Sequence, residues 1–178
     1  MEKAGDLRFP IGKYRADAPI KESDYPLFIG QIAETPGALR SAVAGMSRDQ
    51  IETRYRPGGW TVKQVVHHLP DSHLNAYTRF KLALTEDEPT IKAYDEAKWA
   101  ELPDSQRVPI EVSLDLLESL HLRWVVLLRG MDGANFQRGL THPERGLMTL
   151  AQLLAMYAWH GRHHVAHITS LREREGWT

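Results

Sequence analysis

The sequence predicts an all-α fold, a four-helix bundle with long connecting loops. Three observations carry this. Four long stretches repeat apolar residues at helical spacing, and no stretch shows convincing strand alternation. Three tetrads, Ser47–Gln50, Thr61–Gln64 and Thr149–Gln152, have the form of a capping box, in which a hydroxyl and a glutamine three residues on satisfy each other's backbone N–H groups. The proline- and glycine-rich connections are longer than a minimal up-down-up-down bundle needs, and loops of that size often carry function.

The elements follow in chain order. Residues 1–23, with Pro10 and Pro19, read as an extended lead-in. The first long helix is expected from Asp24 to Met46, with Leu27, Phe28, Ile32, Leu39 and Val43 on its apolar face and Pro36 as a point of kinking. Ser47 caps a short helix, and Arg56–Trp60 (RPGGW) is a turn. Thr61 opens a second long helix to Thr85. Residues 86–112, with Pro89, Pro103 and Pro109, form an excursion holding a short helix near Tyr94–Leu102. Ser113 is the expected cap of a third helix to Arg129, with Leu117, Leu120, Trp124 and Leu128 on one stripe. A glycine-punctuated loop from Met131 to Gly146 leaves room for a small hairpin, and Thr149 caps the last helix, to Arg174. With no repeat or heptad array, residues 1–178 read as one domain.

Composition excludes several functions. Lys and Arg number 22 against 23 Asp and Glu, so no field draws the chain to nucleic acid or to an anionic membrane. No apolar run approaches the roughly 18 residues of a membrane span. The start, MEKAGDLRFP, lacks the apolar core of a secretory signal, so a cytoplasmic location is expected. There is no cysteine, so a metal would have to be held by histidine or carboxylate.

Four of the nine histidines fall in WHGRHHVAHI, Trp159 to Ile168. At about 100° per residue, His164 lies inside the apolar sector of the last helix and His160 at its edge. His167 falls slightly outside, and His163 points roughly 100° away from His164. His160 and His164 are an i, i+4 pair whose Cβ atoms stand about 5–6 Å apart, close enough to converge on one ion. The zincin arrangement is absent, because Gly161 stands where its glutamate base would follow the first histidine. A third donor has to come from elsewhere. On the second helix, VVHHLPDSH, ideal phase prefers His73, tolerates His68 and turns His67 to the far side, while Pro70 disturbs the local geometry. His121 and His142 are further candidates. For each of these a hydrogen-bonded or solvated histidine is the plainer alternative.

Three stretches, GGWTVKQVVHHLPDSH, YTRFKLALTEDEPTIKAYDEAKWAEL and WHGRHHVAHI, resemble the YfiT family of DinB-like four-helix bundles, and the likeness runs from FPIGKY (Phe9–Tyr14) to the closing Gly176-Trp177. The resemblance implies one divalent metal per chain, zinc or else nickel, on His68, His160 and His164. It thus selects His68 where phase alone preferred His73. It also implies a homodimer and either a metal-dependent hydrolase or a bacillithiol-type S-transferase. Broader DinB-like chains often carry glutamine where this chain has His167, which makes His167 a candidate for orienting a ligand.

Three neutral donors leave an ion open positions, as in a catalytic site. Such an ion can lower the pKa of water to about 7 or hold a small thiol as thiolate. Hydrolysis also needs a positioned acid or base. The thiol route, with a small electrophilic substrate and a low-molecular-weight thiol as partners, is therefore slightly preferred over hydrolysis. A non-catalytic metal-binding bundle is the third reading. Asp71, Tyr157 and Arg162 lie near the histidines in sequence, and no catalytic role is assigned to them.

Overall fold

The computed structural model describes residues 6–15 and 19–177; the rest of the lead-in, 1–5 and 16–18, lies outside the described residues. The elements are α1 (Tyr25–Val43), α2 (Arg48–Ile51), α3 (Val62–Thr85), α4 (Glu96–Trp99), α5 (Pro103–Arg107), α6 (Ile110–Arg129), α7 (Gly133–Gln137), β1 (Gly139–His142), β2 (Gly146–Thr149) and α8 (Leu150–Glu175), with a 3-10 turn at Glu22–Asp24. All three capping boxes form: Ser47, Thr61 and Thr149 each accept from the backbone of the glutamine three residues on, which returns the bond. A fourth, Asp132 with Asn135, opens α7.

The four long helices α1, α3, α6 and α8 make the bundle. Around it α1 packs on α8 and α6, and α3 packs on α6 and α8. Consecutive long helices α1 and α3 therefore sit across one diagonal, and α6 and α8 across the other. Crossing a diagonal takes more chain than a hairpin connection, which accounts for the long segments after α1 and α6. The segment after α3 joins neighbouring helices and is long for a different reason: it covers the site.

Several sequence expectations are corrected. The α1 stripe is Tyr25, Ile29, Ile32, Leu39 and Val43, spaced four, seven, fourteen and eighteen residues from its first member, whereas Leu27 is 60% exposed on the opposite side. The helix ends at Val43, just before Gly45 in the left-handed region at φ 72°. α6 begins at Ile110 with Pro109 as its cap, so Ser113 is not the start but a buried residue inside the first turns. The short helix near Tyr94–Leu102 covers only Glu96–Trp99, and Pro103 starts a second one, α5. α3 runs through Pro70 without interruption. Within the lead-in, residues 7–11 are turned rather than extended, with Phe9 N–H bonded to the Asp6 carbonyl and Gly12 N–H to the Phe9 carbonyl.

The core has two apolar clusters. One holds Ile32, Ala76, Phe80, Trp124, Leu128, Leu150 and Leu154; the other holds Leu39, Val65, Leu69, Leu114, Leu117, Ile168 and Leu171. Each long helix changes from one cluster to the other in mid-length, and polar or special residues mark the change: Thr35 and Pro36 on α1, His73 on α3, His121 on α6, and His160, Gly161 and His164 on α8. A histidine layer thus crosses the middle of the bundle. Gly161 lets α1 and α8 approach there, since a Cβ would lie 2.5 Å from Thr35 Oγ1 and 2.7 Å from its Cγ2.

The expected hairpin exists as β1–β2, antiparallel with Gly139 opposite Thr149. The excursion after α3 is bonded to it, with Ile91 N–H donating to the Thr141 carbonyl and Thr141 N–H to the Pro89 carbonyl. Hairpin and excursion together roof one side of the bundle.

Candidate metal centre

Three imidazoles meet inside the bundle. His68 of α3 and His160 and His164 of α8 each place a ring nitrogen within 4.8 Å of the others. The Nε2 atoms of His68 and His160 are 3.4 Å apart. Two nitrogens bound at about 2.0–2.1 Å in a tetrahedral shell stand roughly 3.3 Å apart, so the spacing suits one ion. Trp60, delivered by the RPGGW turn, packs its ring on His68 at 4.7 Å between centroids. That turn needs its glycines: Gly58 has φ 67°, and a Cβ on Gly59 would lie 2.6 Å from Arg56 Cγ.

Burial keeps these imidazoles neutral. His68 is pulled down to about 4, first by desolvation and then by His167. His160 and His164 are held well below the usual histidine range, by desolvation first and then by neighbouring histidines. Neutral imidazole is the metal-binding form. The donor set therefore fits a divalent ion of the zinc or nickel type.

Behind the three lies an ordered relay. The His160 Nδ1 is 3.1 Å from His73 Nε2, the His73 Nδ1 is 2.7 Å from His121 Nε2, and the His121 Nδ1 is 2.7 Å from the Ile32 carbonyl. The carbonyl can only accept, so His121 carries its proton on Nδ1. Its Nε2 then accepts from His73 Nδ1–H, and His73 Nε2 accepts from His160 Nδ1–H. One backbone oxygen thereby fixes three neutral tautomers and leaves the His160 Nε2 lone pair facing His68. The Ile32 carbonyl is available because its ordinary helical partner is the residue four positions on, Pro36, which has no N–H. Pro36 thus serves the relay.

The remaining histidines go elsewhere. His67 faces away from the cluster, as phase arithmetic placed it; its Nε2 donates to the Val108 carbonyl at 3.2 Å, and its Nδ1 accepts from the Ser113 hydroxyl at 2.7 Å. His163, expected outward, is buried by stacking on Trp159, with Phe9 of the lead-in beyond it. His167 donates from Nε2 to the Arg8 carbonyl at 3.1 Å and stacks on Tyr55, so it anchors the lead-in, while the orienting contact to His160 comes from His73. His142 lies on β1 and borders the same cavity.

The cluster opens into a cavity of about 630 Å³. Its walls come from the lead-in, the RPGGW turn, the excursion and the hairpin, through Phe9, Trp60, Tyr94 and His142 among others. Tyr157, buried, and Arg79, at 7% exposure, border it as well. Sequence reasoning missed Arg79, although a signal was present: it stands seven residues after Ser72, on the face of α3 that otherwise enters the core.

Comparison with known proteins places this architecture. Residues 31–168 match the model of the DinB superfamily. The chain belongs to the DinB superfamily. Among its DinB relatives, a Bacillus cereus protein is 54% identical over 172 residues, covering 97% of this chain and 99% of the relative, and bears the name "Putative metal-dependent hydrolase". A Bacillus anthracis relative of the same name is 53% identical over the same coverage. A solved DinB-type structure, YfiT from Bacillus subtilis, superposes with a TM-score of 0.93 at 47% identity, over 97% of this chain and 99% of that one; it is described as a probable metal-dependent hydrolase with an unusual four-helix bundle topology. The diagonal order of α1, α6, α3 and α8 is this chain's departure from the simple bundle. Taken with the three-histidine cluster, these relationships make this DinB protein a metal-dependent enzyme. No helix among the described residues is long and apolar enough to cross a membrane.

Proposed function

We propose that His68, His160 and His164 hold one divalent ion, zinc first and nickel second, and that the enzyme transfers a low-molecular-weight thiol to a small electrophile, forming a carbon–sulfur bond as the electrophile's leaving group departs (chloride from a chlorinated aromatic) and the thiol proton passes to solvent. When bound, the ion supplies positive charge that favours the anionic form of a small nucleophile. The observation that carries the thiol reading is the lack of a base at the three imidazoles: among the described residues no carboxylate bonds to any of them, the two glutamates of the cavity, Glu96 and Glu144, are exposed at its rim, and the Nδ1 of His142 is occupied in accepting from the Glu144 N–H. Activating water calls for a base to take its proton, whereas a thiol ionises readily and its thiolate is already a strong nucleophile. The chain has no cysteine, so the sulfur would enter as a cosubstrate.

The chain's own residues have separable tasks. His73 holds the His160 ring so that Nε2 faces the cluster. Trp60 and Phe9 give apolar walls that keep water from a bound organic molecule. The Tyr157 hydroxyl, raised in pKa by burial, remains protonated and able to donate to a developing anion.

The second reading is hydrolysis, which the names of the relatives favour. Turnover of a chlorinated aromatic by the zinc-loaded enzyme, with and without a small thiol and in oxygen-labelled water, separates the two. Thiol-dependent product free of solvent oxygen is expected. Equal rates without thiol, with label in the product, would establish hydrolysis instead.

A further inference from the structure

We infer that the substrate or cosubstrate carries an oxyanion, a carboxylate or a phosphate, and that Arg79 binds it beside the three-histidine cluster. This rests on the cavity being the active site. Arg79 is buried in the C-terminal third of α3, and a buried guanidinium is costly unless a counter-charge meets it. Among the described residues it has no ion-pair partner. Its protein partners are neutral: Nη2 donates to the Lys92 carbonyl at 3.2 Å, and Nη1 reaches the Tyr157 hydroxyl only at 3.5 Å. A guanidinium offers five N–H donors in a fixed fork matched to a carboxylate or phosphate, and most of these are unspent.

The surroundings point the same way. Ser72, Tyr94 and Tyr157 border the same cavity as Arg79 and carry hydroxyls able to donate, that of Tyr157 at 3.5 Å from its guanidinium. Burial pushes Tyr94 up to about 12 and raises Tyr157, so both keep their protons. Arg56 and Arg145 also border the cavity, and with Arg79 they outnumber the two rim glutamates, Arg8 being paired with Asp6, so the field is positive before any metal is counted. The distance to the reacting centre is short. Tyr157 is three residues before His160 on α8, with ring centroids 5.5 Å apart. An oxyanion at Arg79 would therefore hold a small molecule with its other end at the histidines. Arg79 is in this sense a specificity residue, and its tie to Lys92 couples the anion site to the roofing excursion.

Calorimetric titration of zinc-loaded and of metal-free protein with succinate and with inorganic phosphate tests this, with neutral succinamide as control. At least one anion is expected to bind both forms, at least tenfold more tightly than succinamide. Arg79→Gln should weaken that binding at least tenfold and Arg79→Lys less, while zinc affinity measured by chelator competition is unchanged. Tyr157→Phe, which keeps the packing of α8, is measured alongside and should weaken binding about threefold; it decides the matter if Arg79→Gln does not fold. Anion binding that vanishes without zinc, or that survives both Arg79→Gln and Tyr157→Phe within experimental error, overturns the inference. Failure of zinc to bind while succinate still does so through Arg79 would instead overturn the proposed function alone.

Discussion

The His73 Nε2 stands 3.1 Å from the His160 Nδ1, and through that contact the Ile32 carbonyl sets the tautomer of a candidate metal ligand on another helix. Outer partners of this kind typically change metal affinity by about 10–100-fold. His121→Phe removes the link to Ile32 without touching the three donors, and zinc affinity is expected to fall by about that factor while helicity is retained. Chelator competition and circular dichroism check both.

Pro36→Ala probes the same relay from its far end. The new N–H would compete with His121 for the Ile32 carbonyl. Zinc affinity is expected to drop by less than in His121→Phe. An affinity equal to wild type would show that the carbonyl serves both donors without loss.

Metal content separates the ligand histidines of α3 and α8 from their neighbour His163. His68→Ala, His160→Ala and His164→Ala are each expected to lose the ion, and His163→Ala to keep it, because His163 stacks on Trp159 and faces the lead-in. Elemental analysis of the purified variants, or a crystal structure with zinc, checks the assignment.

Metal-free protein should lose stability on acidification. His68 and His121 are each depressed to about 4 by burial, so below the usual 6.5 the unfolded chain takes up protons that the fold refuses. Their contribution is complete above pH 6.5 and falls away progressively toward pH 4. Asp71, pushed up to about 6 by burial, opposes this over part of the window, but it is one group against several histidines. Thermal melts of the metal-free protein at pH 7, 6 and 5 should show a falling midpoint, and zinc should delay the fall by competing with protons.

Gly161→Ala should destabilise the bundle. The added methyl would meet the buried, branched Thr35, and overpacking of this kind costs about 1–3 kcal/mol. Denaturant melts give the value, and the double change with Thr35→Ser should recover part of it.

Much of this protein was legible in one dimension. Helical periodicity and three capping boxes located all four long helices, because both signals are local and depend on neighbours three or four residues away. The i, i+4 spacing of His160 and His164 gave their shared face for the same reason. Phase on α3 correctly marked His73 as the most inward histidine, yet its ring is spent on His121 and His160, while His68 on the flank is the one that reaches the cluster. Periodicity measures direction from one helix axis. Which nitrogen meets which partner depends on where the other three axes stand. The freed Ile32 carbonyl meets His121 from 89 residues away, the lead-in reaches His167 across 159, and the arginine left without a counter-ion meets the Tyr157 hydroxyl across 78. The sequence alone determined the helices and the histidine pair. Only the packing of α1, α3, α6 and α8 decided which buried polar groups face one another, because the cost of leaving such groups unpaired is set by the neighbours that folding brings to them.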